Sequence, residues 1–158
     1  MLNQIPQPLL QPHRLGDLLL PNRVVMAPLT RGQANNSGHV PNDVMREYYE
    51  QRATGGLIIS EGIWVSEDGQ GWNGATGIYH REQGAGWKSI TDAVHAKGGR
   101  IFAQLWHQGA VSHPSFFHDG RLPLPDVRRR VMPSKSFNHV QPERQDKITK
   151  TSTHQEQK

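Results

Sequence analysis

The 158-residue sequence predicts an α/β fold built on a parallel sheet, and three features predict it. Short apolar runs at Val24–Ala27, Gly56–Ser60 and Ile101–Leu105 read as strands buried on both faces, as parallel strands are. Two helical stretches of ordinary length lie between them. A glycine pair, Gly55-Gly56 and then Gly98-Gly99, closes each helix just before the next strand. The order strand, helix, strand, helix, strand argues for βαβ units.

Residues 1–12 are rich in Pro and Gln and are expected to be irregular. Leu15-Gly16-Asp17-Leu18 sets a Gly-Asp turn between apolar residues, a β-hairpin signal. The strand from Val24 to Ala27 is ended by Pro28, which has no N–H for a ladder and restricts the residue before it. The polar tip that follows, Leu29-Thr30-Arg31, falls where parallel α/β folds put their chemistry, at a strand's C-terminal end. Residues 32–41 form a loop. A helix starts with Asn42 or Asp43 as N-cap, with Val44, Tyr48 and Gln51/Arg52 on one face. The second strand ends at Glu61-Gly62, and a Gly-rich loop spans 66–79. The second helix runs from about Glu82 to Lys97, with Trp87, Ile90, Thr91 and Val94 at helical spacing.

The overall charge is misleading about partners. The sequence pI is 9.7 and the mean hydropathy −0.70, but the basic excess is confined to one end. Residues 1–127 hold 10 Lys/Arg and 11 Asp/Glu, whereas residues 128–158 hold 8 and 3. That last segment opens with Arg128-Arg129-Arg130 and has only Val131, Met132, Phe137, Val140 and Ile148 as clearly apolar residues, a composition that reads as a disordered tail. A solvated charge run explains it without a nucleic-acid partner. There is no cysteine, so disulfide and thiolate chemistry are excluded. No signal-peptide pattern and no apolar run approaching the roughly 20 residues of a membrane span are present, which makes a cytoplasmic protein without membrane contact the expectation.

Gly69-Gln70-Gly71-Trp72-Asn73-Gly74 satisfies G-x-G-x-x-G, but no strand directly precedes it and no helix directly follows, so it fails as a dinucleotide fingerprint. His107, His113 and His118 have no carboxylate or cysteine arranged around them, and no metal site is expected.

Four ordered blocks carry a more specific signal: Leu20-Pro21-Asn22-Arg23-Val24-Val25-Met26-Ala27-Pro28-Leu29-Thr30-Arg31, Met45-Arg46-Glu47-Tyr48-Tyr49-Glu50-Gln51-Arg52-Ala53, Gly56-Leu57-Ile58-Ile59-Ser60-Glu61-Gly62, and Gln104-Leu105-Trp106-His107. Together they resemble the Old Yellow Enzyme family, the FMN-dependent NAD(P)H:alkene oxidoreductases, over roughly residues 8–125. The resemblance implies the first three βα units of a TIM (β/α)8 barrel, with the hairpin at its N-terminal mouth. A full barrel typically needs about 250 residues, so this chain is expected to form an incomplete one. The implied domain is residues 1–127, followed by the tail at 128–158.

The same resemblance implies site residues. Thr30 faces a flavin carbonyl oxygen, with the backbone of Ala27, Pro28 and Leu29 beside the ring. Gln104 reads the ring's pyrimidine edge, for which its amide carries both a donor and an acceptor. Gly62 lets a planar ring approach closely. Trp72 and Trp106 shape the pocket for an electron-poor alkene, and NADH or NADPH is the reductant. On residue chemistry alone, Thr30 could equally end a strand or cap a turn, Gln104 could be a satisfied polar residue, and the two tryptophans could be packing. Gln33 and Ala110 stand where many members have arginine. Nothing in the chain matches the family's carbonyl-binding His-Asn or His-His pair, its proton-donating tyrosine or its phosphate loops. No catalytic residue is therefore assigned, and activity is expected only from a completed barrel, whether by an oligomer or a partner subunit. The alternative expectation is a non-catalytic truncation product or an interaction module using its open sheet edge and basic tail.

Overall fold

The computed structural model describes residues 7–123. The start of the chain, the expected boundary at residue 127 and the tail at 128–158 lie outside the described residues. After a 3-10 turn at Pro8–Leu10 comes the expected hairpin, β1 (His13–Leu15) paired antiparallel with β2 (Leu18–Leu20), in the register His13↔Leu20 to Leu15↔Leu18. Gly16 takes φ +56° at the first turn position, a conformation that suits glycine in a two-residue hairpin loop.

The main sheet is parallel and centred on one strand. β3 (Val25–Met26) pairs with the start of β4 (Leu57–Trp64). β5 (Thr76–Gly77) pairs with Ile63 and Trp64 of β4. β6 (Ile101–Trp106) runs along β4 from Ile58 to Trp64. Between β3 and β4 lies α1 (Asp43–Glu50), and between β5 and β6 lies α2 (Arg81–Ala96). The predicted alternation is thus observed, with three corrections. β3 is two residues long instead of Val24–Ala27, because Pro28 cannot extend the ladder. β4 continues past Ser60 to Trp64, so Glu61 and Gly62 lie inside the strand. The Gly-rich loop holds a buried strand, β5, which takes up β4's edge beyond the point where β3 leaves it.

Each helix is set by its cap and one apolar face. The Asn42 side chain accepts a hydrogen bond from the Met45 amide at 3.1 Å and donates to the Gln33 carbonyl at 2.8 Å, so one side chain both starts α1 and ties it to the preceding loop. The buried face of α1 is Met45 and Tyr49, one residue on from the expected face; Val44 is 63% exposed. α2 begins with a capping box: Gln83 Oε1 accepts from the Tyr79 and His80 amides at 2.9 and 3.0 Å. Its Trp87, Ile90 and Val94 are buried as expected, while Thr91 is only partly covered. These faces meet Ala34, Ala53, Ile58 and Ile63 in a single core on one side of the sheet. β6 was expected to be buried on both faces, yet Phe102 and Leu105, which the strand's alternation puts on opposite faces, are 51% and 63% exposed.

Asn42→Ala should destabilise the 158-residue chain by about 1 kcal/mol, read as a lower urea midpoint. Asn42→Ser, which keeps a capping oxygen but cannot reach as a donor amide, should recover part of that loss.

Candidate functional site

The segments leaving the C-terminal ends of β3, β4 and β6 form one connected layer. The Ala34 amide donates to the Gly74 carbonyl at 2.8 Å, and the Gln108 amide donates to the Gly69 carbonyl at 3.0 Å. The Ser112 hydroxyl donates to the Gln70 carbonyl. Loops 27–41, 65–75 and 107–117 are therefore cross-braced over the strand tips, and irregular chain so braced is where parallel α/β proteins carry function.

Ala27, Pro28 and Leu29 are exposed at the end of β3, and Thr30 is half-buried. Among the described residues neither the Thr30 hydroxyl nor the Gln104 side-chain amide has a hydrogen-bond partner; Gln104 is engaged through its backbone alone, its N–H donating to Ser60 Oγ at 3.0 Å. Two side chains with unspent donors and acceptors at the strand tips can serve a polar planar ligand. Gly62 was expected to let a planar ring approach closely. It lies within β4, opposite Gln104 in the ladder, and the planar ring against it is the indole of Trp106: a Cβ there would come within 2.4 Å of Trp106 Cε3. The missing side chain of Gly62 is what lets Trp106 fold down on the sheet. Trp72 is 43% exposed, on the loop that Gln108 braces, and so belongs to the same layer as Trp106.

The comparisons with known proteins bear on this geometry. Residues 8–153 match the model of the NADH:flavin oxidoreductase / NADH oxidase family. The chain belongs to this family. Among its relatives are a putative 12-oxophytodienoate reductase 11 of Oryza sativa subsp. japonica, 42% identical over 134 residues, and the flavin oxidoreductase hxnT of Emericella nidulans, 45% identical over 122 residues. These alignments cover 84% and 75% of this chain but 36% and 31% of the relatives. Of solved structures, morphinone reductase is 50% identical with a TM-score of 0.69, over 73% of this chain and 30% of that one. The old yellow enzyme homologue from Zymomonas mobilis is 47% identical with a TM-score of 0.68, over 74% and 32%. The chain thus spans about a third of the length of the relatives it matches. The expected resemblance to the Old Yellow Enzymes holds, and with it FMN as the family's cofactor and NAD(P)H as its reductant. One boundary is corrected: the family match runs to residue 153, well past the point near residue 125 where the resemblance was expected to stop.

Three features of this family member were not anticipated from its sequence. The first is a β-bulge in β4. Ile59 pairs with Phe102 and Gly62 with Gln104, so Ser60 and Glu61 together face the single residue Ala103. Ser60 Oγ repairs the ladder, accepting from the Gln104 amide and donating to the Glu61 carbonyl at 2.8 Å. The second is Glu61 itself, 1% exposed. Its Oε2 accepts from the Tyr49 hydroxyl at 3.2 Å, and the same hydroxyl accepts from the Glu61 amide at 2.9 Å. Burial pushes the Glu61 carboxyl up to about 7, against the hydrogen bond from Tyr49 and the amide and guanidinium of Arg31, which all pull it down. Burial and the Glu61 charge push the Tyr49 phenol upward as well. Ile63-Trp64 after Glu61-Gly62 was the signal that the strand continues and the carboxyl is enclosed.

The third feature is a cavity of about 480 Å³ lined by His39, Gln70, Tyr79, His80, Phe116 and His118 among others. Burial lowers the His39 pKa, and its ring meets Trp64 edge-on at 5.1 Å. No group of three or more His, Asp or Glu among the described residues is placed to hold a metal ion. No helix among them is long and apolar enough to cross a membrane.

The raised Glu61 pKa makes a signed prediction. Unfolded, the carboxyl titrates near 4.5; folded, near 7. Between these values the folded chain holds the extra proton, so the stability contribution is fully present below pH 4.5 and is lost as pH rises through 7. The whole change is on the order of 3 kcal/mol. Glu61→Gln should remove this slope from the pH dependence of the urea midpoint. The lowered His39 value acts in the opposite sense but is common to both chains, so their difference isolates Glu61.

Proposed function

We propose that this chain carries the ring-edge part of the FMN site of an NAD(P)H-dependent alkene reductase, as the first three βα units of a TIM barrel. The observation that carries the reading is the pair of unengaged side chains, Thr30 and Gln104, at the C-terminal ends of strands in one parallel sheet. Bound FMN supplies hydride transfer from the nicotinamide to the β-carbon of an electron-poor alkene such as an enone or maleimide. Toward it Thr30 donates its hydroxyl to a ring carbonyl oxygen, favouring the form that carries more negative charge there. Gln104 pairs through its amide with the donor and acceptor at the pyrimidine edge. Ala27, Pro28 and Leu29 lay exposed backbone beside the ring. Gly62 contributes by seating Trp106, which with Trp72 excludes water on the alkene's side.

The groups that bind the ribityl phosphate, grip the substrate carbonyl and deliver its proton have no match among these residues. Turnover is therefore assigned to the completed barrel, and the 158-residue chain with added FMN should oxidise NADPH in the presence of N-ethylmaleimide no faster than free FMN does. Flavin-dependent turnover above that background would mean that an oligomer completes the site.

The role of Thr30 is tested in this chain joined to the remaining barrel units of morphinone reductase. Thr30→Ala removes one hydrogen bond to the charge-bearing form, about 1–2 kcal/mol, and should lower the flavin's two-electron potential by roughly 20–40 mV. An unchanged potential would reject the assignment.

A further inference from the structure

Glu61 is a buried carboxyl for which the flavin reading has no use, and it sits where three elements meet. α1 offers it the Tyr49 hydroxyl, the β4 bulge turns it away from the ladder, and the segment after β3 brings Arg31 near. Only one of its oxygens is satisfied: Oε2 accepts from Tyr49, while Oε1 is fully enclosed and has no partner among the described residues. An enclosed carboxylate oxygen without a donor is costly, and the backbone N–H of Arg31 acts on this carboxyl in the sense that favours its charged form. The Arg31 guanidinium adds to this pull. Its Cζ lies 5.5 Å from the centre of the Tyr48 ring, against which the Arg52 guanidinium also packs at 3.7 Å. Tyr49 and Arg31 are the titratable or charged groups that act on Glu61, with Tyr48 and Arg52 further out.

We infer that Glu61 is a positioning residue: ionised, it takes the Arg31 amide as the second donor to its carboxylate and so fixes the Thr30–Arg31 tip against β4 and α1. The tip needs such an anchor. β3 is two residues long, Pro28 gives no ladder bond, and the Thr30 and Arg31 side chains make no hydrogen bond of their own among the described residues. The clasp stands on the enclosed, unpartnered Oε1 of Glu61, the Tyr49 hydroxyl on Oε2 and the placement of Arg31 against Tyr48 on the same helix; only its consequence for FMN rests on the reading of Thr30 given above. Because the free and clasped forms differ by one proton, the position of the tip follows pH around neutrality.

The test is the backbone amide of Arg31 in the ¹⁵N-labelled 158-residue chain between pH 5 and 9. As pH rises, its proton should move downfield in one step centred near 7, as an amide does on gaining a carboxylate acceptor, and the Thr30 amide should shift with the same midpoint. Glu61→Gln should abolish the step. Tyr49→Phe and Arg31→Gln each remove a group that favours the charged carboxylate, so in both the midpoint should move upward. These two variants decide the matter alone if Glu61→Gln does not fold. An Arg31 amide that does not titrate, a step that survives in Glu61→Gln, or an unmoved midpoint in both other variants would overturn the clasp. Thr30→Ala should leave the step in place, so a failure of the flavin assignment, read from the potential, stays separate from a failure of the clasp.

Discussion

β4 carries the backbone pairing of the whole parallel sheet. β3 and β5 share one of its edges, β6 takes the other, and both helices pack their apolar faces on the layer it centres. A strand in that position cannot leave backbone groups unpaired. Yet β4 holds one more residue than β6 between the Ile59↔Phe102 and Gly62↔Gln104 pairs. Ser60 resolves the conflict, its hydroxyl standing in for the ladder acceptor that the Gln104 amide would otherwise lack. The extra residue turns Glu61 toward α1 and returns Gly62 to the register on which Trp106 lies. One local irregularity thus connects the core side of the sheet, through Tyr49, with the tip side, through Gln104 and Trp106.

The two proposed ring-edge residues are held in different ways. Gln104 is part of a six-residue strand, and its backbone is fixed by the Ser60 hydroxyl. Thr30 lies four residues beyond the end of a two-residue strand, on irregular chain. A functional group on such chain is placed only as well as its supports allow. The supports of this segment are the Asn42 amide on the Gln33 carbonyl, the Ala34–Gly74 bond and the surroundings of Arg31. This asymmetry makes Glu61 matter more for Thr30 than for Gln104, although Glu61 is nearer to Gln104 in the ladder.

The parts of the fold that were legible are those with long periodic signals. α2 has 16 residues, and its start and end fall within one residue of the expected ones. α1 has 8, barely two turns, with Val44 beside Met45 and Tyr48 beside Tyr49. Either member of each pair satisfies the spacing; contact with Trp87 and Glu61 picks Tyr49, and Met45, one turn before it, is buried in the same core. The end of β4 was misread for a related reason. Glu-Gly looks like a turn until a tyrosine 12 residues away supplies the partner that permits a carboxyl inside. The roles proposed for Thr30 and Gln104 come from the family motif and not from their own chemistry, since a lone threonine after Pro-Leu and a lone glutamine in a strand have ordinary structural uses. The packing of Trp106 on Gly62 was not legible, because the two lie 44 positions apart and meet through the bulge that shifts the register.

Magnitudes decide what Thr30 and Gln104 can contribute. A neutral hydrogen bond adds about 0.5–1.5 kcal/mol net, and association costs an estimated 4–15 kcal/mol in lost translational and rotational freedom. Two such bonds at an open strand edge do not hold a ligand. They can orient one that is bound by other means, and orientation is the larger service in a hydride transfer, where a small misplacement of the reacting atoms is expensive. Their strength also depends on water being kept away. In residues 7–123 β6 leaves Phe102 exposed on one face and Leu105 on the other, whereas a parallel sheet ordinarily buries both. Phe102 shares its face of β6 with Gln104, so whatever covers Phe102 also keeps water from that side chain. Burial of that one face would strengthen the proposed ring-edge contact of Gln104, which couples orientation of the ring to covering of the sheet.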